Sequence, residues 1–127
     1  IYQACLLNFQ KKGVVMGMNN SMKVTIIGST QYKDKFLDLK ERLEKEGDEV
    51  RIPAFDDHEE LDDLGVCLFN RDVIRWADKI YLIWDRRSTG TIFDFGMCFM
   101  AEKPLVIEYL EPKTFEGVMK KYADSTG

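Results

Sequence analysis

The chain has 127 residues, 45% of them apolar and 12% aromatic, which suits one hydrophobic core and makes two domains improbable. A net charge of −4 without a long Lys/Arg run argues against a nucleic-acid-binding protein. No apolar run reaches the roughly 18 residues of a membrane span. The three cysteines, Cys5, Cys67 and Cys98, fit neither a disulfide framework nor a metal site. We therefore expect a soluble cytoplasmic protein.

The first residues of the chain differ in pattern from those that follow. Met18 and Met22 are both plausible starts, and Met22 directly precedes a strand-like run. We interpret residues 1–21 as an added or over-extended leader, with a native extra strand in residues 1–17 as the alternative. A single domain is then predicted over residues 22–127.

From Lys23 onward the chain alternates short β-rich runs with helical periods, a pattern that predicts an α/β fold with a parallel sheet. The predicted strands cover residues 24–27, 49–52, 80–84 and 105–107. The predicted helices begin with one that carries Phe36, Leu39 and Leu43 at helical spacing and ends at Gly47, and they continue over 64–77, 91–101 and 115–122. We expect the last of these, an amphipathic segment, to pack back on the sheet.

Right-handed crossovers between these units favour strand order 2-1-3-4, a small doubly wound sheet of the Rossmann-like or flavodoxin-like type. The chain then reverses its direction of winding between strands 1 and 3. Ligands of such sheets bind at this reversal, beyond the carboxyl ends of the strands. The loops that meet there are 28–30 and 85–90, so the pattern predicts that both border a binding crevice.

Asp94 is the one carboxylate in the otherwise apolar segment that follows the second of these loops. In a structural interpretation, Thr91 is the N-cap of the third helix and Asp94 completes a capping box. In a functional interpretation, the helix N-terminus lowers the pKa of Asp94 and keeps an ionised carboxylate ready to act as a nucleophile. The local motif alone favours the cap, although one carboxylate could serve both roles in part.

The two predicted loops are rich in small and hydroxyl-bearing residues. Gly28, Ser29 and Thr30 in one loop, and Ser88 and Gly90 in the other, suit either an anion-binding turn or an ordinary loop. The first loop lacks the spacing of a P-loop. What favours a binding role for both loops is their expected proximity in the folded sheet, because each sequence alone is common among turns.

For the other side chains near the predicted crevice, a purely structural role is an alternative to a functional one. Arg86 could bind a phosphate with Arg87 or could be solvated, and Tyr32 could stack on a base, as could Trp84, or pack in the core. His58, the only histidine, lies in an acidic loop without a serine or cysteine partner, which argues against a catalytic triad. No metal site is predicted.

Four motifs in this order are similar to those of a known family: VTIIGST, NRDVIRWADKIYLIW, STGTIFDFGMCFMAEKPLVI and the Lys103-Pro104 pair. Over about residues 22–107 the chain resembles the nucleoside 2-deoxyribosyltransferase-like proteins, which include deoxyribosyltransferases and nucleotide N-glycosidases. The resemblance implies a small doubly wound sheet and a homodimer or higher homo-oligomer whose active site borrows residues from a neighbour. It also implies that an acidic nucleophile cleaves an N-glycosidic bond through a covalent sugar intermediate, without a cofactor.

The resemblance also assigns roles to individual residues. Gly90, Asp94 and Gly96 match a Gly-x-x-x-Glu-x-Gly frame, so Asp94 stands where the family has its glutamate nucleophile, with a reach shorter by roughly 1.5 Å. Asn70 occupies the position of an aspartate that helps to protonate or hold the base. Ser88 occupies a position that contacts the 5'-phosphate in the nucleotide hydrolases.

These assignments lead to two competing expectations. In the first, Asp94 attacks the sugar of a nucleoside or nucleoside 5'-monophosphate, Asn70 contacts the base, and Ser88 with the Gly28–Ser29 turn holds the phosphate. In the second, the protein is a nucleotide-binding or sensing module that keeps the fold and has lost catalysis. The departures at Asp94 and Asn70 keep the second expectation open.

Overall fold

The computed structural model describes residues 21–55, 60–112 and 115–127. The leader apart from its last residue, Cys5 and His58 lie outside these ranges. Four strands are described: β1 (Lys23–Gly28), β2 (Glu49–Arg51), β3 (Lys79–Trp84) and β4 (Leu105–Leu110). The α-helices of the described ranges are α1 (Lys33–Lys45), α2 (Asp63–Trp76), α3 (Thr89–Met100) and α4 (Phe115–Thr126), and short 3₁₀ turns cover Thr30–Tyr32 and Pro53–Phe55.

The strands form one parallel sheet in the order β2-β1-β3-β4, which confirms the predicted α/β fold and its strand order. Strand β1 lies in the centre, with Val24 opposite Val50 on one side and Thr25 opposite Ile80 on the other. Strand β4 pairs with β3 from Ile80 opposite Leu105 onward, with an irregularity after Leu82. The reversal of winding therefore lies between β1 and β3.

Helices pack on both faces of the sheet, as is usual for parallel sheets, and bury the central residues of β1, whereas Ile107 of the edge strand β4 is exposed. On one face, α1 packs against β1 and β2, and the buried residues there are Val24, Ile26, Phe36, Leu39, Leu43, Val50, Ile52 and Ile83. On the other face, α2 and α3 pack against β1 and β3, and the buried residues there are Ile27, Ile74, Ala77, Ile80, Leu82 and Cys98. The two helices that carry Asn70 and Asp94 therefore share one face of the sheet.

Helix α1 forms as its sequence predicts. Phe36, Leu39 and Leu43 are all buried, so the apolar spacing reports the face that meets the sheet. Gly47 follows the helix with φ +98°, and its N–H donates to the carbonyl of Glu44 at 3.0 Å. Glycine adopts this left-handed conformation at no steric cost, which confirms the predicted helix end.

Three expectations about the elements are wrong. Helix α3 begins at Thr89 with Ser88 as its N-cap, so Thr91 lies inside the first turn and caps nothing. Strand β4 extends to Leu110, beyond the predicted end at residue 107, because its later residues still pair with the end of β3. Helix α4 does not pack back on the sheet: its apolar side chains Phe115, Val118, Met119 and Tyr122 are all exposed.

Candidate functional site

A cleft opens at the carboxyl end of β1, beside the point where the winding reverses. Its cavity volume is about 30 Å³. Strand β1, the turn after β2, and helices α2 and α3 supply its walls, and the lining residues are Ile26, Ile27, Gly28, Pro53, Ala54, Asn70, Ile74 and Asp94. We call this the Asp94 cleft.

Asp94 lies in the second turn of α3, six residues beyond the N-cap Ser88 and therefore roughly 9 Å along the helix from it. Its half-buried carboxylate accepts a hydrogen bond from the Asn70 side chain. Burial raises the pKa of Asp94 to about 6, and the hydrogen bond from Asn70 opposes that rise. The predicted capping box is therefore wrong, and so is the predicted fall in pKa, because the carboxylate is too far from the free N–H groups of the helix start.

Asn70 is the second polar side chain that lines the Asp94 cleft. Its side chain lies near Asp94 and favours the ionised form of that carboxylate. Its oxygen Oδ1 is buried and has no hydrogen-bond partner among the described residues. The resulting pair, one carboxylate and one half-satisfied amide, stands in a cleft whose other side chains are apolar.

Gly28 lines the same cleft, but the sheet and not a ligand explains why it is glycine. Its φ is +152°, and a Cβ atom built there would lie 1.8 Å from the carbonyl oxygen of Ile83. Any side chain would therefore push β1 away from β3.

Ser29 is only 4% exposed and is engaged by the chain itself. Its N–H donates to the carbonyl of Ile83 at 2.9 Å, and its hydroxyl accepts from the N–H of Asp85 at 3.0 Å. The predicted role of Ser29 in holding a phosphate is therefore not supported by its surroundings. Its neighbour Thr30 is exposed at the start of a 3₁₀ turn.

The carboxylate of Asp85 occupies the turn in which the sequence predicts an anion. Its Oδ1 accepts from the N–H groups of Arg87 and Ser88, each at 2.9 Å, and its Oδ2 accepts from the amide of Gln31 at 2.9 Å. Burial opposes ionisation here, but these backbone donors, with the Ser29 hydroxyl, outweigh it and lower the pKa of Asp85. The Asp85 carboxylate therefore occupies the N–H donors that a bound anion would use.

Ser88 and Gly90 belong to the start of α3. The Ser88 hydroxyl accepts from the N–H of Thr91 at 3.2 Å and interacts with the Thr91 hydroxyl at 2.9 Å, so it satisfies one of the unpaired donors of the helix start. A Cβ atom at Gly90 would meet only the Ser88 hydroxyl oxygen, at 3.9 Å. Neither residue lines the Asp94 cleft.

A second cleft of about 200 Å³ lies at the same edge of the sheet and shares no lining residue with the first; it is lined by Gln31, Tyr32, Asp85, Arg87 and Glu111. The hydroxyl groups of Tyr32 and Tyr109 both donate to Glu111. Burial and then the Glu111 carboxylate raise the pKa of Tyr32. Tyr32 is therefore separated from Asp94, contrary to the expectation of one crevice.

Arg86 lies in the left-handed region with φ +67°, and its Nε donates to the backbone carbonyl of Glu111 at 2.5 Å. The Arg87 guanidinium stands 5.2 Å from the centre of the Phe115 ring. Arg86 is thus engaged by the backbone of Glu111, and Arg87 also lies near enough to Glu111 to lower the pKa of its carboxylate. Trp84 packs against the buried residues between the sheet and helices α2 and α3, in agreement with a structural role in the core.

Sequence reasoning missed several residues at this edge of the sheet: Pro53, Ala54, Asp85, Tyr109 and Glu111. Asp85 carried a usable signal, because it directly follows a strand at the predicted reversal. The others depend on how the turn after β2 and the end of β4 approach their neighbours, which no local pattern encodes.

Within the described residues, no three His, Cys, Asp or Glu side chains are grouped so that they could hold a metal ion. No described helix combines the length and the apolar character that crossing a bilayer requires. Comparisons with protein-family models, with curated proteins and with solved structures gave no match.

Proposed function

We propose that the protein cleaves or transfers the N-glycosidic bond of a nucleoside or of its 5'-monophosphate, with Asp94 as the nucleophile. One observation carries this proposal. The Asp94 carboxylate does not cap its own helix and instead lines, together with Asn70, a cleft at the reversal of the sheet. A half-buried carboxylate with a raised pKa in a cleft is typical of residues that take part in catalysis.

The chemistry has two steps. An Asp94 oxygen attacks C1' of the sugar, the bond from C1' to the base nitrogen breaks, and the base leaves with the electron pair and takes up a proton. The sugar is then bound to Asp94 as an ester. Water, or the nitrogen of a second base, attacks C1' and releases the carboxylate. With a pKa of about 6, Asp94 is mostly ionised at neutral pH, as the first step requires.

The apolar walls of the cleft assist the attack. Ile27 and Ile74, which are buried on the same face of the sheet, exclude water from one side of the carboxylate and so make it a less solvated nucleophile. Because aspartate is one methylene shorter than glutamate, the sugar has to approach α3 more closely, and positional errors near 1 Å can cost about a hundredfold in rate.

The uncharged nucleoside is the favoured substrate. In the turn where a 5'-phosphate would find N–H donors, Asp85 already accepts from Arg87 and Ser88. A phosphate placed beside it would meet a like charge. Glu111 adds a second carboxylate at the neighbouring cleft.

We further propose that the protein works as a homo-oligomer. Helix α3 presents a group of exposed apolar side chains, Ile92, Phe93, Phe95, Phe99 and Met100, with Phe99 at 72% and Met100 at 84% exposure. Exposed apolar patches of this kind mark interaction surfaces. A second copy would bring the same apolar surface, which is the simplest complement.

The test is release of free base from a panel of nucleosides and nucleoside 5'-monophosphates, followed by chromatography. Asp94→Asn removes the nucleophile with little change in shape, and Asp38→Asn, on the exposed side of α1, is the matched control. Base release that Asp94→Asn abolishes and Asp38→Asn preserves supports the proposal. Release that survives Asp94→Asn overturns it, and nucleoside-induced stabilisation without release identifies a binding module instead.

A further inference from the structure

We infer that the second cleft receives the base of the nucleoside, and that Glu111 selects bases that carry an exocyclic amino group. This inference rests on the proposed function, which it extends by naming the class of base. It starts from the difference in size between the two clefts and from one accessible oxygen of the Glu111 carboxylate.

The Asp94 cleft is too small to hold a base. Its volume of about 30 Å³ leaves room for roughly two water-sized groups, which suits the edge of a sugar that presents C1' to the carboxylate. The second cleft, with about 200 Å³, has room for a ring system. Because the base leaves from the side of C1' that faces away from the nucleophile, it needs a seat outside the Asp94 cleft.

The two clefts lie close enough for one nucleoside to reach both. Gly28 lines the Asp94 cleft, and the next residue, Ser29, accepts through its hydroxyl from the N–H of Asp85 at 3.0 Å. Asp85 lines the second cleft, so Gly28 and Asp85 are within roughly 9 Å of each other by ordinary bond lengths. A nucleoside is itself roughly 10 Å long from its 5'-oxygen to the far edge of the base. A sugar held at Asp94 therefore brings its base within reach of the second cleft.

Glu111 presents one carboxylate oxygen to such a base. Its Oε2 accepts from the hydroxyls of both Tyr32 and Tyr109, and these two contacts fix the orientation of the carboxylate. Its Oε1 has no hydrogen-bond partner among the described residues, and it is not one of the buried polar atoms that lack a partner, so solvent reaches it. An unpaired and accessible oxygen on a lining residue is available to a ligand.

The second cleft favours a ligand that donates hydrogen bonds. The hydroxyls of Tyr109 and then of Tyr32 hold the pKa of Glu111 below its usual range, so its carboxylate is ionised at neutral pH and can only accept. Gln31 donates through its side-chain nitrogen to Asp85 at 2.9 Å, which leaves the amide oxygen of Gln31 as a further acceptor. An exocyclic amino group, with two N–H donors, is the complement of these oxygens.

A base with a carbonyl group in the same place is disfavoured. Its oxygen would face the Glu111 carboxylate without a proton between them, which weakens binding by roughly ten- to hundredfold relative to the amino group. Arg87, the cation among the lining residues, helps to keep Glu111 ionised, and its guanidinium stands 5.2 Å from the centre of the Phe115 ring. The choice between the two kinds of base therefore depends on Glu111.

The experiment measures by titration calorimetry the affinity for cytidine, uridine, adenosine and inosine, in an Asp94→Asn background that does not consume its ligand. In each pair the second nucleoside carries a carbonyl oxygen where the first carries an amino group. Cytidine should bind more tightly than uridine, and adenosine more tightly than inosine, by roughly ten- to hundredfold.

Adding Glu111→Gln should reverse both preferences. The tyrosine hydroxyls require an acceptor and hold the amide oxygen, so the NH₂ group takes the place of Oε1 and donates to the base. Glu108→Gln is the matched control, because it removes a carboxylate that is bonded to Arg42 at 2.9 Å and does not line the second cleft. It should leave both preferences unchanged.

Three results would overturn the inference: equal affinities within both pairs, preferences that Glu111→Gln leaves unchanged, or no binding of any of the four nucleosides. The first comparison needs no change at Glu111, so it holds even if that substitution impairs folding. Base release by the unaltered protein tests the proposed function separately. Both preferences without release would refute Asp94 as a nucleophile and keep the base site, whereas release without the preferences would refute the base site alone.

Discussion

The side chains of Asn70 on helix α2 and Asp94 on helix α3 line the same cleft at the carboxyl end of β1. The two residues are 24 positions apart in the chain. The Asp94 carboxylate is half-buried, and the amide oxygen of Asn70 has no hydrogen-bond partner among the described residues. Burial of this carboxylate should make both base release and the stability of the fold depend on pH.

The pH dependence of base release should report the ionisation of Asp94. Only the ionised carboxylate attacks C1', and its pKa is about 6, so kcat/KM should rise with pH and reach half of its plateau near pH 6. Asn70→Ala removes the contact that opposes the rise in pKa, and the midpoint should move to higher pH. Initial rates between pH 4.5 and 8 provide the measurement, and a profile that falls as pH increases from 5 to 7 would exclude Asp94 as the nucleophile.

The same carboxylate should make the fold less stable as pH rises. Because the pKa of Asp94 increases from 3.8 to about 6 on folding, the folded state holds the proton more tightly, and stability is lost between about pH 4 and pH 6. The shift corresponds to roughly 2–3 kcal/mol at neutral pH. Asp94→Asn should therefore be more stable than the unaltered protein at pH 7.5 and about equally stable at pH 4, as measured by urea unfolding. A variant that is less stable at pH 7.5 would contradict this linkage.

Ser88→Ala separates a cap from a phosphate ligand. Loss of the N-cap hydroxyl should lower the free energy of unfolding by about 1 kcal/mol, since the N–H of Thr91 loses its acceptor. The preference between a nucleoside and its 5'-monophosphate should not change, because the turn is already filled by Asp85. Selective loss of activity on the monophosphate would show instead that Ser88 binds the phosphate.

Two glycines of the family-like motifs should respond in opposite ways to alanine. Gly28→Ala places a Cβ atom 1.8 Å from the Ile83 carbonyl oxygen and should destabilise the fold by about 3 kcal/mol or more. Gly96→Ala meets no atom within 4 Å and lies inside α3, so it should stabilise the protein by about 0.5–1 kcal/mol. Thermal unfolding of both variants gives the comparison. A tolerated Gly28→Ala would mean that β1 and β3 are not packed as closely as described.

The exposed apolar face of α3 should control assembly. Phe99→Glu places a charge on this face and should convert the oligomer into a monomer, as measured by light scattering coupled to size-exclusion chromatography. Leu37→Glu, at a 44% exposed position on the opposite side of the sheet, is the control and should leave the mass unchanged. An unaltered protein that is monomeric at all concentrations tested would refute the proposed homo-oligomer.

Much of the candidate site lies where strand order alone would place it. The alternation of strands and helices predicts the reversal between β1 and β3, and Gly28 and Asp94 both line a cleft there. The roles of individual side chains differ from the predicted ones because their hydrogen-bond partners come from other strands, helices and loops. Ser29 and Ser88 are hydroxyl-bearing residues in loops, and nothing in their own segments reveals that Asp85 has already filled the turn between them.

The sequence by itself determined the sheet, its strand order and the buried face of α1, because side-chain periodicity and chain handedness act locally or along single connections. Only the tertiary structure decided that Asp94 is paired with Asn70 and not with its own helix end, and that Tyr32 lies in a separate cleft. The pKa of a carboxylate depends on burial and on donors that come from distant parts of the chain. Asp94 becomes buried, and Asn70 comes near it, only when α2 and α3 lie against the same face of the sheet.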